Sequence, residues 1–244
     1  MTSLKFCANI SWLFTELPEL SERLRAAACA GFQAVEAAWL YGSDLRELQK
    51  VREETGLQVA LINTPPGDVK NGELGLGAVP GREQDFRQGL AQAVQYAKAL
   101  DCKRIHVMAG RVPAGAQLSE VGVEMETTFV QNLKHAADIL SKEGIMGLIE
   151  PINTRITDPQ YFLDSPHQGN SGFHLKYFPL IGHIQVAQVP DRHEPDSPGE
   201  INFPYIFKLL EELGYQGYVG CEYKPLDSTA NGLGWLKKYQ ESKH

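Results

Sequence analysis

Several things are scarce in this sequence, and each scarcity removes a class of function. No apolar run approaches the roughly 20 residues needed to cross a bilayer, so no membrane span is predicted. Basic residues are outnumbered, with 23 Lys and Arg against 30 Asp and Glu, for a net charge of −7. A nucleic-acid surface would need clustered basic residues, and that partner class is excluded. The four cysteines, Cys7, Cys29, Cys102 and Cys221, show no CxxC spacing and lie mostly within apolar segments. Reduced, buried thiols in a cytoplasmic protein are therefore expected, not a disulfide framework. Polar interruptions at Asn9 and Ser11 break up the opening stretch, which predicts no secretory signal. No glycine cluster has the GxGxxG or GxxxxGK[ST] form, so no dinucleotide or phosphate cradle is read. Low-complexity stretches and obvious linkers are missing too, and a single domain over residues 1–244 is expected.

What is present is one repeated phrase: an amphipathic helix, a glycine break, then a short apolar run. Leu20, Leu24 and Ala27 have helical spacing, with Gly31 placed to end the helix before the strand from Ala34 to Trp39. Ser43 is expected to cap a second helix carrying Leu45, Leu48 and Val51, which stops at Gly56 ahead of the strand from Leu57 to Ile62. Phe86, Leu90, Ala93 and Ala97 precede the strand from Arg104 to Met108. Phe129, Leu133, Ala136 and Leu140, with Gly144, precede Met146 to Ile149. Later strands are read at Ile181 to Val186 and Tyr218 to Tyr223, and a closing helix at Thr229 to Tyr239. With an opening strand from Leu4 to Ile10 there are seven. Such alternation implies right-handed crossovers and a parallel sheet, and a TIM-type (β/α) barrel is favoured over an open sheet. Residues 64–84 are rich in Gly and Pro and long for a connection, as functional lids are. Gln168 to Lys176 reads as turn-like.

Two strand ends carry acid. The run Met146-Gly147-Leu148-Ile149 suits a strand buried on both faces, and Glu150 stands where it stops, before Pro151, which cannot donate to a ladder. Glu222 follows Tyr218-Val219-Gly220-Cys221 in the same way. Carboxylates at the C-terminal ends of parallel strands suit proton transfer, metal binding or both.

The stretches Ile62-Asn63-Thr64-Pro65-Pro66-Gly67-Asp68, Gly75-Leu76-Gly77-Ala78-Val79-Pro80-Gly81-Arg82, Glu150 to Asp158, Gln185 to Pro195 and Gly220 to Pro225 together resemble hydroxypyruvate isomerases, almost end to end. That family belongs to the xylose-isomerase-like TIM barrels. The resemblance implies interconversion of hydroxypyruvate and 2-hydroxy-3-oxopropanoate through an enediolate, with Glu150 and Glu222 as the proton carriers. It further implies a divalent metal ion, Mg or Mn, ligated by Glu150, Gln185 and Glu222. Arg192, in a turn-rich loop seven residues past Gln185, suits a clamp for the substrate carboxylate, because a guanidinium fork matches it. Asn63 is placed to orient a substrate hydroxyl. His106, within a strand, reads as a core histidine.

The sequence also departs from the family, whose sixth strand carries a Met-Asp-x-x-His run that is missing here. From Asp158-Pro159, read as a helix start, the chain passes to Tyr177-Phe178-Pro179-Leu180, read as the end of a helix. About 30 residues, roughly one strand-helix unit, are expected to be absent, as in a splice variant. This leaves an incomplete barrel and a metal site short of one Asp. Two alternatives stand beside the isomerase: a catalytically impaired variant acting as a binding or regulatory protein, and a related sugar-acid isomerase or epimerase. A DNA-repair endonuclease on the same barrel is discounted, since its metals need clustered histidines.

Overall fold

The computed structural model describes residues 3–165 and 178–241. In chain order the elements are β1 (Lys5–Asn9), α1 (Leu20–Cys29), β2 (Ala34–Ala37), α2 (Leu45–Thr55), β3 (Gln58–Asn63), α3 (Glu83–Ala99), β4 (Arg104–His106), α4 (Leu118–Lys142) and β5 (Met146–Leu148). They continue with β6 (Ile184–Val186), α5 (Phe203–Glu212), β7 (Tyr218–Cys221), α6 (Thr229–Gly232) and α7 (Gly234–Glu241). All seven expected strands are present, at the expected places. The chain forms two compact units, Met1–Ala60 with Ile181–His244, and Leu61–Leu180, with β3 crossing the boundary.

In the first unit the strand order is β2-β1-β7-β6, with every registered pairing parallel. The start of β3 joins beyond β2 through Gln58 N–H donating to Gln33 O at 3.0 Å. Phe6 on β1 packs edge-on against Phe207, Trp235 and Tyr239, with centroids 5.2–5.4 Å away, so α5 and α7 cover one face of this sheet. Gly31 and Gly56 take positive φ after α1 and α2, as expected. The cap of α2 is Asp44, which accepts from Arg46 N–H, and not Ser43. The closing helix is broken at Leu233 into α6 and α7.

In the second unit β3, β4 and β5 pair in parallel, Ile62 with Ile105 and Ile105 with Gly147. The core is built from Ile62, Leu90, Ala93, Ile105 and Met125. Helix α4 begins at Leu118, earlier than its apolar periodicity suggested, because Gln117 and Glu120 form a capping box. The Gly-rich loop after β3 is firmly tied. Gly77 and Ala78 N–H donate to Met108 O and Ala109 O, and Asn132 donates to Gly77 O. At Gly75, where φ is +105°, a Cβ would lie 2.6 Å from Met108 Cβ and 2.9 Å from Met108 O. Gly75→Ala should therefore destabilise the fold by about 1–3 kcal/mol, the usual cost of overpacking. A urea midpoint unchanged from the parent would show that the loop can yield there.

Three further expectations fail. Strand β5 is not buried on both faces: Met146 is 52% exposed and Ile149 is 52% exposed. Among the described residues β5 pairs with β4 alone, so it is an edge, and α4 covers it on one side, with Leu140 against Gly147. Asp158-Pro159 starts a turn, not a helix. The Asp158 carboxylate accepts from Gln160 N–H and from Arg111, and Tyr161 bridges back to Arg111. Cys29 is exposed, whereas Cys7, Cys102 and Cys221 are buried, and none of the four forms a disulfide. Phe178–Leu180 form a 3-10 turn. The turn expected at Gln168 to Lys176 lies outside the described residues. No helix among the described residues is long and apolar enough to cross a membrane.

Candidate active site

The first unit holds a carboxylate buried inside its sheet. Glu36 on β2 is 1% exposed. Its Oε1 accepts from Asn9 Nδ2 on β1 and Gln185 Nε2 on β6, each at 2.8 Å. Its Oε2 contacts His183 Nε2 and accepts from the Cys7 thiol at 3.4 Å. Glu36 can reach from β2 over β1 and β7 because β7 carries glycine at the crossing. A Cβ on Gly220 would lie 2.5 Å from both Glu36 oxygens. Burial pushes the Glu36 carboxyl up, but the His183 charge and the hydrogen bonds from His183, Gln185 and Asn9 outweigh it and hold the group below its ordinary value. Cys7, Glu36 and His183 place three potential metal-ligand atoms within 4.8 Å of one another. Four donors already fill this carboxylate, so an ion there would have to displace protons from the thiol and the imidazole. Burial, with Glu36 nearby, raises the Cys221 thiol well above its ordinary value, and burial lifts Cys102 to about 11, so neither is a thiolate nucleophile at neutral pH.

Glu222 follows β7 directly, its N–H donating to Val186 O at 3.2 Å. Arg192 Nη2 donates to Glu222 Oε1 at 3.1 Å and to Glu222 O at 3.0 Å, and the guanidinium lies 4.7 Å from the Trp12 ring centroid. Arg192 takes φ +58° in a loop fixed by the buried amide of Gln188, which bonds Val189, Ile201 and Pro195, and by buried Glu194, which accepts from Leu226 N–H. The Arg192 Nε is buried with no hydrogen-bond partner among the described residues. The structure thus brings Arg192 and Glu222 together, and sets the amide nitrogen of Gln185 on Glu36.

In the second unit Glu150 stands two residues past the end of β5. His106, 3% exposed on β4, lies with Nδ1 3.4 Å from Glu150 Oε2. The expected core histidine therefore adjoins a candidate proton carrier. Asn63 closes β3 in register with His106. Beside it, Thr64 Oγ1 accepts from Met108 N–H at 3.1 Å.

A sequence profile described as "Xylose isomerase-like TIM barrel" matches residues 24–170 and 163–239. The chain belongs to the xylose isomerase-like TIM barrel family. A Danio rerio protein named "Putative hydroxypyruvate isomerase" is 63% identical over 271 residues, covering 100% of this chain and 98% of its own length. A "2-oxo-tetronate isomerase" of Haemophilus influenzae is 40% identical, covering 97% and 99%. Among solved structures, one titled as an AP endonuclease, family 2, from Brucella melitensis superposes with a TM-score of 0.87 at 38% identity, covering 97% of this chain and 99% of that one. The fold is thus of the TIM-barrel type and the chain is an isomerase of this family. The 271 aligned positions exceed the 244 residues present by 27, so at least that many positions of the Danio rerio relative have no counterpart here.

Sequence reasoning missed Glu36, Asn9 and His183. One signal was available: a carboxylate inside the apolar run Ala34-Val35-Glu36-Ala37-Ala38, where a charge has to be paired. Its partners could not be read, because they come from β1 and from around β6.

Proposed function

We propose that this isomerase interconverts hydroxypyruvate and 2-hydroxy-3-oxopropanoate through an enediolate, with Glu150 and Glu222 carrying the protons. The reading rests on the placement of both carboxylates just beyond parallel strand ends in a chain similar, nearly end to end, to relatives bearing that name. A proton leaves C3, the enediolate forms, and C2 is reprotonated, while the hydroxyl proton passes from the C3 oxygen to the C2 oxygen. One carboxylate acts as base where the other acts as acid. His106, 3.4 Å from Glu150, orients that carboxylate, and Glu222 accepts from Arg192.

The donor set Glu150, Gln185 and Glu222 is all oxygen, which suits Mg²⁺ or Mn²⁺. The Gln185 amide fits this role, since with its nitrogen on Glu36 the oxygen is the atom it can offer a cation. Such an ion, when bound, would supply positive charge to the oxygens of the enediolate.

The part-exposed guanidinium of Arg192, beside Glu222, supports its role as the clamp for the substrate carboxylate. Because that contact is made equally in ground and transition states, Arg192→Ala should raise KM more than it lowers kcat. An unchanged KM with a collapsed kcat would remove the clamp role. Asn63, at the end of β3 beside His106, serves to orient a substrate hydroxyl. A second reading, a larger sugar acid as substrate, is favoured by the similarity to the 2-oxo-tetronate isomerase. Comparison of kcat/KM for hydroxypyruvate and for 2-oxo-tetronate decides between them.

A further inference from the structure

We infer that Glu36 is a positioning residue: through the Gln185 amide it fixes which atom Gln185 offers to a divalent cation. This rests on the reading of Gln185 as a metal ligand. An amide side chain can present either its oxygen or its nitrogen, and only the oxygen can ligate a hard cation. Without an anchor, a glutamine would divide its time between the two orientations and among its rotamers. Gln185 is anchored. Its Nε2 donates to Glu36 Oε1 at 2.8 Å, and because a carboxylate only accepts, the amide cannot flip without placing two oxygens against each other.

The anchor is itself held. Asn9 Nδ2 shares the same oxygen at 2.8 Å, and His183 and Cys7 occupy the other. Two strands, β1 and β6, and the residue just before β6 thus fix one carboxylate, and Gly220 leaves it the space to lie across β7. None of these groups needs to touch substrate. The arrangement gives a buried glutamate a use that packing does not: an apolar side chain would fill the space equally well but would leave the amide free to turn. Burying a charge against four donors is costly in design terms, and orientation of a ligand explains why it is kept.

Two substitutions separate reach from charge. Glu36→Gln keeps the length of the side chain but removes the charge, and its amide is held oxygen-first toward Gln185 because Asn9, whose own oxygen is taken by Ser11 N–H, presents Nδ2 to that oxygen. Glu36→Asp keeps the charge but draws the acceptor back by one methylene. The readout is the Mn²⁺ dissociation constant, measured by electron paramagnetic resonance on the full chain, with near-UV circular dichroism to check folding. Glu36→Asp should weaken Mn²⁺ binding by about 10–100-fold, as loss of an outer partner of a ligand does, whereas Glu36→Gln should stay within about threefold. In a Gln185→Met background Glu36→Asp should change nothing further.

Equal effects of the two substitutions, a larger effect of Glu36→Gln, or an undiminished effect of Glu36→Asp in the Gln185→Met background would each overturn the inference. Parent-like Mn²⁺ binding by Gln185→Met, or no Mn²⁺ binding by the parent, would instead overturn the ligand reading on which it stands. Should Glu36→Asp fail to fold, Gly220→Ala presses the same carboxylate from β7. It should then weaken Mn²⁺ binding by a comparable factor, and parent-like binding by that variant would overturn the inference.

Discussion

Glu150→Gln and Glu222→Gln are each expected to lower turnover of hydroxypyruvate by at least about a hundredfold, the usual worth of a positioned acid or base. The amide is the same size as the carboxylate, so the substitution removes proton transfer and leaves packing nearly intact. The two should nonetheless differ in stability. Glu222 accepts from Arg192 through both its side chain and its carbonyl, and the carbonyl bond survives the change. Glu150 adjoins a buried histidine, and Glu150→Gln leaves that imidazole beside a neutral group. Turnover within about threefold of the parent for either variant would show that the residue is not a proton carrier. Where turnover of this chain is too low to measure a hundredfold loss, the same pair is read in a version carrying the missing stretch.

That stretch is the subject of the second large effect. Alignment with the Danio rerio relative leaves at least 27 positions unmatched, β5 pairs among the described residues with β4 alone, and the Met-Asp-x-x-His run expected of the family is absent. An edge with unpaired N–H and C=O groups, flanked by exposed Met146 and Ile149, invites association. A cation site short of one carboxylate binds weakly, since even an outer-shell loss costs about 10–100-fold. Restoring the relative's stretch should therefore raise the melting temperature, suppress aggregation, tighten Mn²⁺ binding and raise turnover by at least tenfold. Equal turnover and equal thermal stability in the two forms would show that the chain tolerates the loss and that its ligand set is wrongly assigned.

The strands and most helices were legible because each rests on local signals: apolar runs between glycines at positive φ, and amphipathic spacing at Phe86, Leu90 and Ala93. What escaped was non-local. The exposure of β5 could not be read from Met146 to Ile149, because burial depends on which neighbours a strand finds, and among the described residues one flank has none. Asp158-Pro159 carries a helix-start signal, yet the Asp158 carboxylate is drawn to Arg111, and a turn results. The candidate site was half legible. Glu150 and Glu222 announce themselves by position at strand ends, and Arg192 by its loop. Glu36 was passed over as part of an ordinary strand, since its meaning lies in Asn9, His183 and Gln185, up to 149 residues away in sequence.

The most direct test of the account is a coupled assay for 2-hydroxy-3-oxopropanoate formed from hydroxypyruvate, run on the purified chain with Mn²⁺ and on its Glu150→Gln variant. The account predicts product from the parent at a rate that falls at least about a hundredfold in the variant. Product formed equally by both, or by neither even after the missing stretch is restored, would contradict it.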